Sequence, residues 1–165
     1  MTTSDAAKGI DFPSLNVDLK VTSIKQPQSS CPFRDATQKL YGLGYHLLLI
    51  VYNKLDDHAQ SSAVLDIQNV IFIEQAATAD YQITRGVKRL IEGGANLDDM
   101  DAYLEERNLP LDPESRRQLA QRVLDEPPAL GILTISNALQ WRLQYGRAIT
   151  AASSGLVQGV EDLNA

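Results

Sequence analysis

The hydrophobic period of this chain changes once, near Glu74, and that change constrains the architecture more than any other feature. Before it, apolar residues alternate or form unbroken runs of strand length; after it, they recur about every 3.6 residues. Residues Asn16 to Ser23 place Val17, Leu19 and Val21 on one face and Asp18, Lys20 and Thr22 on the other, the pattern of a half-buried strand. Tyr45 to Tyr52 is almost wholly apolar, which suits a central strand covered on both faces, and Val70 to Glu74 repeats the signal. Between them, residues 55–62 are polar and turn-like, and Ala63 to Gln68 is a candidate for a further short strand. Gln26 to Phe33, with Pro27 and Pro32, reads as a loop, and a short helix is expected over Arg34 to Tyr41, stopped by Gly42 and Gly44. Beyond Glu74, Ile83, Val87, Leu90 and Ile91 share a helical face that Gly93-Gly94 ends. Further helices are expected over Leu97 to Arg107, Pro113 to Asp125 with Asp112 as N-cap, and Ser136 to Ala148. Sheet first and helices after is an α/β (α+β) arrangement with a mainly helical C-terminal half.

At 165 residues, 44% hydrophobic and 22% charged, the chain reads as one domain spanning 1–165, with polar, small-residue ends at 1–8 and 151–165 expected to be flexible. Cys31 is the lone cysteine, so an intramolecular disulfide and a zinc site built on paired cysteines are excluded, and a reducing, cytoplasmic setting fits. No apolar run approaches the roughly 18 residues that span a bilayer, so membrane insertion is not expected. The net charge of −6 argues on average against a nucleic-acid partner. It is unevenly spread: through Lys54, six basic residues (Lys8, Lys20, Lys25, Arg34, Lys39, Lys54) face four acids (Asp5, Asp11, Asp18, Asp35). Anion binding is therefore expected in the first third, the acidic excess lying on later, solvated helices.

Within that third, Asp11 sits in a Pro-containing turn, Asp18 follows on a strand, and Lys20 lies on the same face of that strand. Two converging carboxylates with a backbone carbonyl and a phosphate make a suitable half-shell for Mg²⁺, which needs hard oxygen ligands and keeps several waters. The lysine can hold an attacking water and offset charge gathering on a phosphate. Taken alone, an Asp-x-Lys on a strand is more often a surface ion pair.

The whole stretch from Gly9 to Ser23 adds weight, because it resembles the catalytic segment of the PD-(D/E)xK nuclease superfamily, and more closely that of the MutH mismatch-repair nuclease and its type II restriction-endonuclease relatives. Asp11-Phe12 matches the first acid and its aromatic neighbour, Leu15 the apolar position, and Asp18-Leu19-Lys20 the acid-x-lysine core, with Asp where MutH has Glu. The resemblance implies a mixed central sheet flanked by helices and a Mg²⁺-dependent endonuclease acting on double-stranded DNA as a homodimer. Asp11 and Asp18 would then hold the metal, and Lys20 would complete the catalytic set. Gln38-Lys39-Leu40 is similar to the place where the family carries a further lysine. The family also has an upstream helix bearing another acid, whereas ten residues precede Asp11, so the reading expects that first helix to be lacking. The alternative reading is a truncated, non-catalytic remnant or subunit that binds DNA or a partner chain without cutting.

The loop straight after Lys20 supplies the candidate DNA contacts Lys25, Gln26, Gln28 and Ser29, with Lys39 beyond it; the same loop could equally just close a turn. His46 reads as a satisfied sheet residue. Arg85, Lys88 and Arg89 form a solvated helix face or a phosphate contact, and Arg142 and Arg147 flank an aromatic-rich stretch expected to pack on the sheet.

Overall fold

The computed structural model describes residues 10–136 and 142–164. Its main sheet has four strands in the order β1-β3-β4-β7. Strand β1 is Val17–Ser23, β3 is His46–Asp57, β4 is Ser62–Ile73 and β7 is Val160–Asp162. β1 runs parallel to β3, with helix α1 (Ala36–Tyr41) in the crossover that parallel neighbours require, and the remaining pairs are antiparallel. The sheet is therefore mixed, as the resemblance implied.

Several stretches differ from the sequence reading. Gln28–Pro32 is not loop but strand β2, which joins β5 (Thr134–Ser136) and β6 (Arg142–Gln144) in a small antiparallel sheet ordered β2-β6-β5. Because β2 is an edge strand, the missing N–H of Pro32 need cost no ladder bond. The helix expected from Ser136 to Ala148 is replaced by β6 and by α5 (Gly146–Ser154); the part of it over 137–141 lies outside the described residues. The alternation at Arg142 to Tyr145 was the relevant signal, since Leu143 and Tyr145 point inward and are buried. β3 runs past its expected end at Tyr52 to Asp57, and the candidate strand at Ala63 to Gln68 joins the one at Val70 in the single strand β4; the two twelve-residue strands form a hairpin, with Gln68 bulged out where the register passes from Val51↔Asn69 to Tyr52↔Ile67. The stretch 151–165, expected to be flexible, contains the end of α5 and all of β7.

The helices α2 (Tyr81–Glu92), α3 (Leu97–Glu106) and α4 (Pro113–Asp125) begin where side chains satisfy their first amides. Asp80 accepts from Gln82 and Ile83, Asn96 and Asp99 form a capping box, and Asp112 accepts from Ser115 ahead of Pro113.

Two apolar clusters form. One packs Leu47, Leu49, Val51, Ile71 and Ile73 of the main sheet against Leu143 and Tyr145 and the alanines of α5. The other joins α1 to α2, α3 and α4 through Leu40, Val87, Met100, Leu104 and Val123. Gly131 lets the segment before β5 pass against residues 77–79, where Ile132 and Leu133 donate to the carbonyls of Ala77 and Ala79; a Cβ at Gly131 would collide with the Ala79 carbonyl.

The apolar residues of β1 do not define its buried side. Asp18 and Thr22 are buried while Val21 is 56% exposed. The register explains this: Asp18, Lys20 and Thr22 pair with Leu47, Leu49 and Val51, whose side chains form the core. The polar face of the strand thus points to the covered side of the sheet.

Candidate active site

Asp11 reaches Asp18 because the chain between them doubles back. Phe12 and Val17 exchange backbone hydrogen bonds of 2.9 and 3.2 Å, closing a short loop around the 3₁₀ turn Pro13–Leu15. Asn16 ends the turn with φ of 54°, a left-handed conformation that Asn tolerates better than most residues, and its amide donates to the Gly44 carbonyl and the Gln75 side chain. This folds Asp11 back along β1, where its Oδ2 accepts from the Leu19 amide at 2.8 Å.

The next residue before Leu19 is Asp18, with its side chain 8% exposed, and the next after it is Lys20, whose Nζ lies 2.5 Å from Asp18 Oδ2. Acid, acid and lysine therefore converge at the open edge of the main sheet. The Leu19 amide, a hydrogen bond with Asp18, and the nearby Lys20 ammonium together hold the Asp11 carboxyl below the usual aspartate range. Because this pKa is depressed in the folded chain, the associated stability is present above the ordinary aspartate pKa and is lost as pH falls through the lowered one. Carboxyl NMR titration should find the Asp11 midpoint below about 3.9, the ordinary value. A midpoint at or above that value would show that Asp11 is not held to Leu19 in solution.

The remaining candidates separate by position. Lys25 and Gln26 are exposed in the turn that follows β1. Gln28 is half-buried, its backbone tied to the Thr22 hydroxyl and its side-chain oxygen accepting from Gln144 Nε2 at 3.3 Å. Ser29 is buried in β2. Lys39 is brought into the interior rather than to the turn after β1: it is 5% exposed, burial pulls its ammonium pKa down, and Asp80 opposes that shift. His46 is satisfied, accepting from the Gln75 amide at 2.9 Å and stacking on Phe72.

The sequence reading missed Thr22 and Gln144, which link the strand bearing Asp18 and Lys20 to the small sheet. Gln144 was hidden by the helical reading of its segment, although the alternation around Leu143 marked a strand. Tertiary packing also brings Arg147 over the ring of Tyr81 at 3.6 Å, with Arg85 at 5.7 Å from the same ring, an adjacency no local pattern encodes.

Two acids and a lysine thus sit together on and just before the edge strand of a mixed sheet, in a protein of the α+β class. The chain belongs to the family of the type II restriction enzyme NspV, whose family profile matches residues 1–162. It is similar to the curated type II restriction enzyme NspV of Nostoc sp. (strain ATCC 29411 / PCC 7524), being 52% identical over 148 residues, which is 90% of this chain and 67% of that protein. No solved structure matches the chain. Family membership makes it a restriction endonuclease, a hydrolase of restriction–modification systems. Among the described residues, no helix is long and apolar enough to cross a membrane.

Proposed function

We propose that the chain hydrolyses phosphodiester bonds of double-stranded DNA, with Mg²⁺ held by Asp11 and Asp18 and with Lys20 acting at the reacting phosphate. The observation that carries this reading is the convergence of Asp11, Asp18 and Lys20 through the Leu19 amide and the Lys20–Asp18 contact. The donor chemistry fits such an ion. Two neighbouring carboxylates concentrate negative charge that one ammonium only partly offsets, and their oxygens are the hard ligands Mg²⁺ prefers. Among the described residues no cluster of three or more His, Cys, Asp or Glu could hold a metal. Two protein ligands leave coordination positions for water and phosphate, the arrangement usual for Mg²⁺. When bound, the ion lowers the pKa of a water and polarises the P–O bond.

Lys20 holds that water and offsets charge on the phosphate, while Asp18 fixes the ammonium in place. Asp11, oriented by the Leu19 amide, stays ionised at neutral pH. Lys25 and Gln26, exposed just past β1, are placed to meet backbone phosphates, and Gln28, steadied by Gln144 and Thr22, to meet a base edge. Buried Lys39 is left out of this DNA-facing set. A homodimer would match the two-fold symmetry of a palindromic site, and the cytoplasm is where such a substrate lies.

Supercoiled plasmid incubated with the protein should be cut only when Mg²⁺ is supplied, and Asp18→Asn should abolish cutting while leaving metal-free DNA binding in place. Cutting by that variant at the parent rate would overturn the assignment. DNA binding with no cutting under any divalent ion would point instead to a non-catalytic subunit.

A further inference from the structure

The acidic residues of this chain avoid two stretches. Of 21 Asp and Glu, none lies between Asp18 and Asp35 and none between Glu126 and Glu161, whereas those stretches hold Lys20, Lys25, Arg34, Arg142 and Arg147. The small sheet is built from them alone: β2 comes from the first, β5 and β6 from the second. In a chain of net charge −6, this is a sheet whose own strands and flanks bring no carboxylate to repel a phosphate.

The faces of β6 differ. Leu143, and Tyr145 just past the strand, point into the core. Period two turns Arg142 and Gln144 the other way, and both are half-buried. Directly opposed residues of an antiparallel pair share a face, so Gln28, the register partner of Gln144, stands beside it.

The two glutamines bond to each other and leave one group of each over. Gln144 Nε2 donates to Gln28 Oε1 at 3.3 Å, so Gln28 Nε2 and Gln144 Oε1 meet no partner among the described residues. A free amide donor and a free acceptor in one bonded pair complement the major-groove edge of adenine, whose N7 accepts and whose N6 donates. Arg142 has donors only, and its guanidinium makes no ion pair among the described residues. Its complement is guanine, whose N7 and O6 both accept. The major groove, about 12 Å wide, admits a two-stranded ribbon, and β2 with β6 is one.

This ribbon is tied to the strand that bears Asp18 and Lys20. Thr22 lies two residues past Lys20 on the same face of β1; its hydroxyl accepts from the Gln28 amide at 3.0 Å and donates to the Gln28 carbonyl at 3.2 Å. Two strand residues span about 7 Å, or two base-pair steps of about 3.4 Å. The ribbon therefore stands within a few base pairs of a phosphate that meets Lys20.

We propose that the polar face of β2 and β6 sets sequence specificity, with Gln28 and Gln144 jointly selecting an A·T pair and Arg142 a G·C pair about two steps away. The assignment rests on the nuclease reading only in taking double-stranded DNA as the substrate. Gln144 and Arg142 are specificity residues, outside the acid–lysine set that acts on the phosphate.

Duplexes with a randomised central segment, selected for binding to the 165-residue chain with Ca²⁺ supplied, test this without cleavage. The parent should enrich a motif holding both A·T and G·C positions. Gln144→Ala and Gln28→Ala should each lower the preference at the same A·T position at least about tenfold and leave the G·C positions intact. Arg142→Ala should do so at a G·C position alone, and Arg142→Lys, which keeps donors without the planar fork, should retain part of that preference. Lys25→Ala, placed at a phosphate, should weaken all sequences about equally. A merely structural role would not give loss confined to one position. Variants that keep every preference of the parent, or that lose all preferences together, would overturn the proposal, as would a parent that enriches nothing. A parent that enriches a motif but does not cut it under Mg²⁺ would instead sink the nuclease reading and leave the base-reading face standing.

Discussion

Replacing Lys20 with alanine is expected to slow Mg²⁺-dependent DNA cleavage by about 10²–10³-fold, the usual cost of removing one preorganised group that stabilises charge in a transition state. The size follows from position: the ammonium is in contact with Asp18, which holds it beside the acids instead of letting it sweep through solvent. Its removal takes away the positive charge at the reacting phosphate and also leaves Asp18, largely buried, without its ion partner. Lys20→Arg keeps the charge but replaces a compact ammonium with a planar fork, so it should recover only part of the rate. Single-turnover cleavage at saturating enzyme measures the effect free of DNA affinity, and circular dichroism checks that the fold is retained. Because the Asp18 side chain is 8% exposed, its loss of an ion partner should also lower stability, so rates are compared below the unfolding temperature of the variant. A rate within threefold of the parent would remove Lys20 from the reaction.

The second large effect concerns stability. Asp80→Ala is expected to cost about 3–5 kcal/mol, the range for stripping the partner from a buried charge. Asp80 is 3% exposed and has three tasks. Its carboxylate caps α2, accepting from Gln82 at 2.8 Å and Ile83 at 3.4 Å, which alone is worth about 1 kcal/mol. Its amide donates to the Lys39 carbonyl at 2.8 Å, tying α1 to α2, a bond that alanine keeps. Its charge faces the buried Lys39 ammonium. Burial pushes the Asp80 carboxyl up, while the capping amides and Lys39 pull it down; burial pulls Lys39 down, while Asp80 pushes it up. Each charge thus offsets part of the other's desolvation, and alanine removes that offset from Lys39. Thermal unfolding should shift down by roughly 6–20 °C, at about 2–4 °C per kcal/mol for a chain of this size. Asp80→Asn, which keeps a cap acceptor but not the charge, should fall between parent and alanine. Adding Lys39→Met to Asp80→Ala should restore part of the loss. If the double variant is as unstable as the sum of the singles, the two charges are not coupled.

Both effects arise in the first half of the chain, where the sequence was most legible. The Asp11, Asp18 and Lys20 spacing, with the family resemblance it carried, pointed to the nuclease class, and the strand at Val17–Ser23 lies where alternation placed it. Asp112 and Pro113 open α4 as their residue types required, because capping is a local matter of the first amides. Where the reading failed, neighbours distant in sequence decided the outcome. Gln28–Pro32 becomes a strand only because Arg142–Gln144 lies beside it, more than a hundred residues later. The end of β3, from Asn53 to Asp57, is polar on its own terms and is strand because it pairs with residues 62–66 of β4.

By itself, the sequence determined which residues could do chemistry: the acids, the lysine, and their place on a strand are properties of residue type and short spacing. The direction in which they face was settled only in three dimensions. Alternation ranked Val17, Leu19 and Val21 as the inward side of β1, yet the parallel register with β3 sets Asp18 and Lys20 in line with Leu47 and Leu49. Period two tells that a strand has two faces, and which face meets the core depends on the sheet it joins. For the same reason, the apolar run at Tyr45 to Tyr52 spoke for cover on both sides, whereas among the described residues Leu47, Leu49 and Val51 are buried and Leu48 and Ile50 only half-buried. Leu48 and Ile50 share their face with Leu19 and Val21, because parallel pairing sets each beside its register partner on β1.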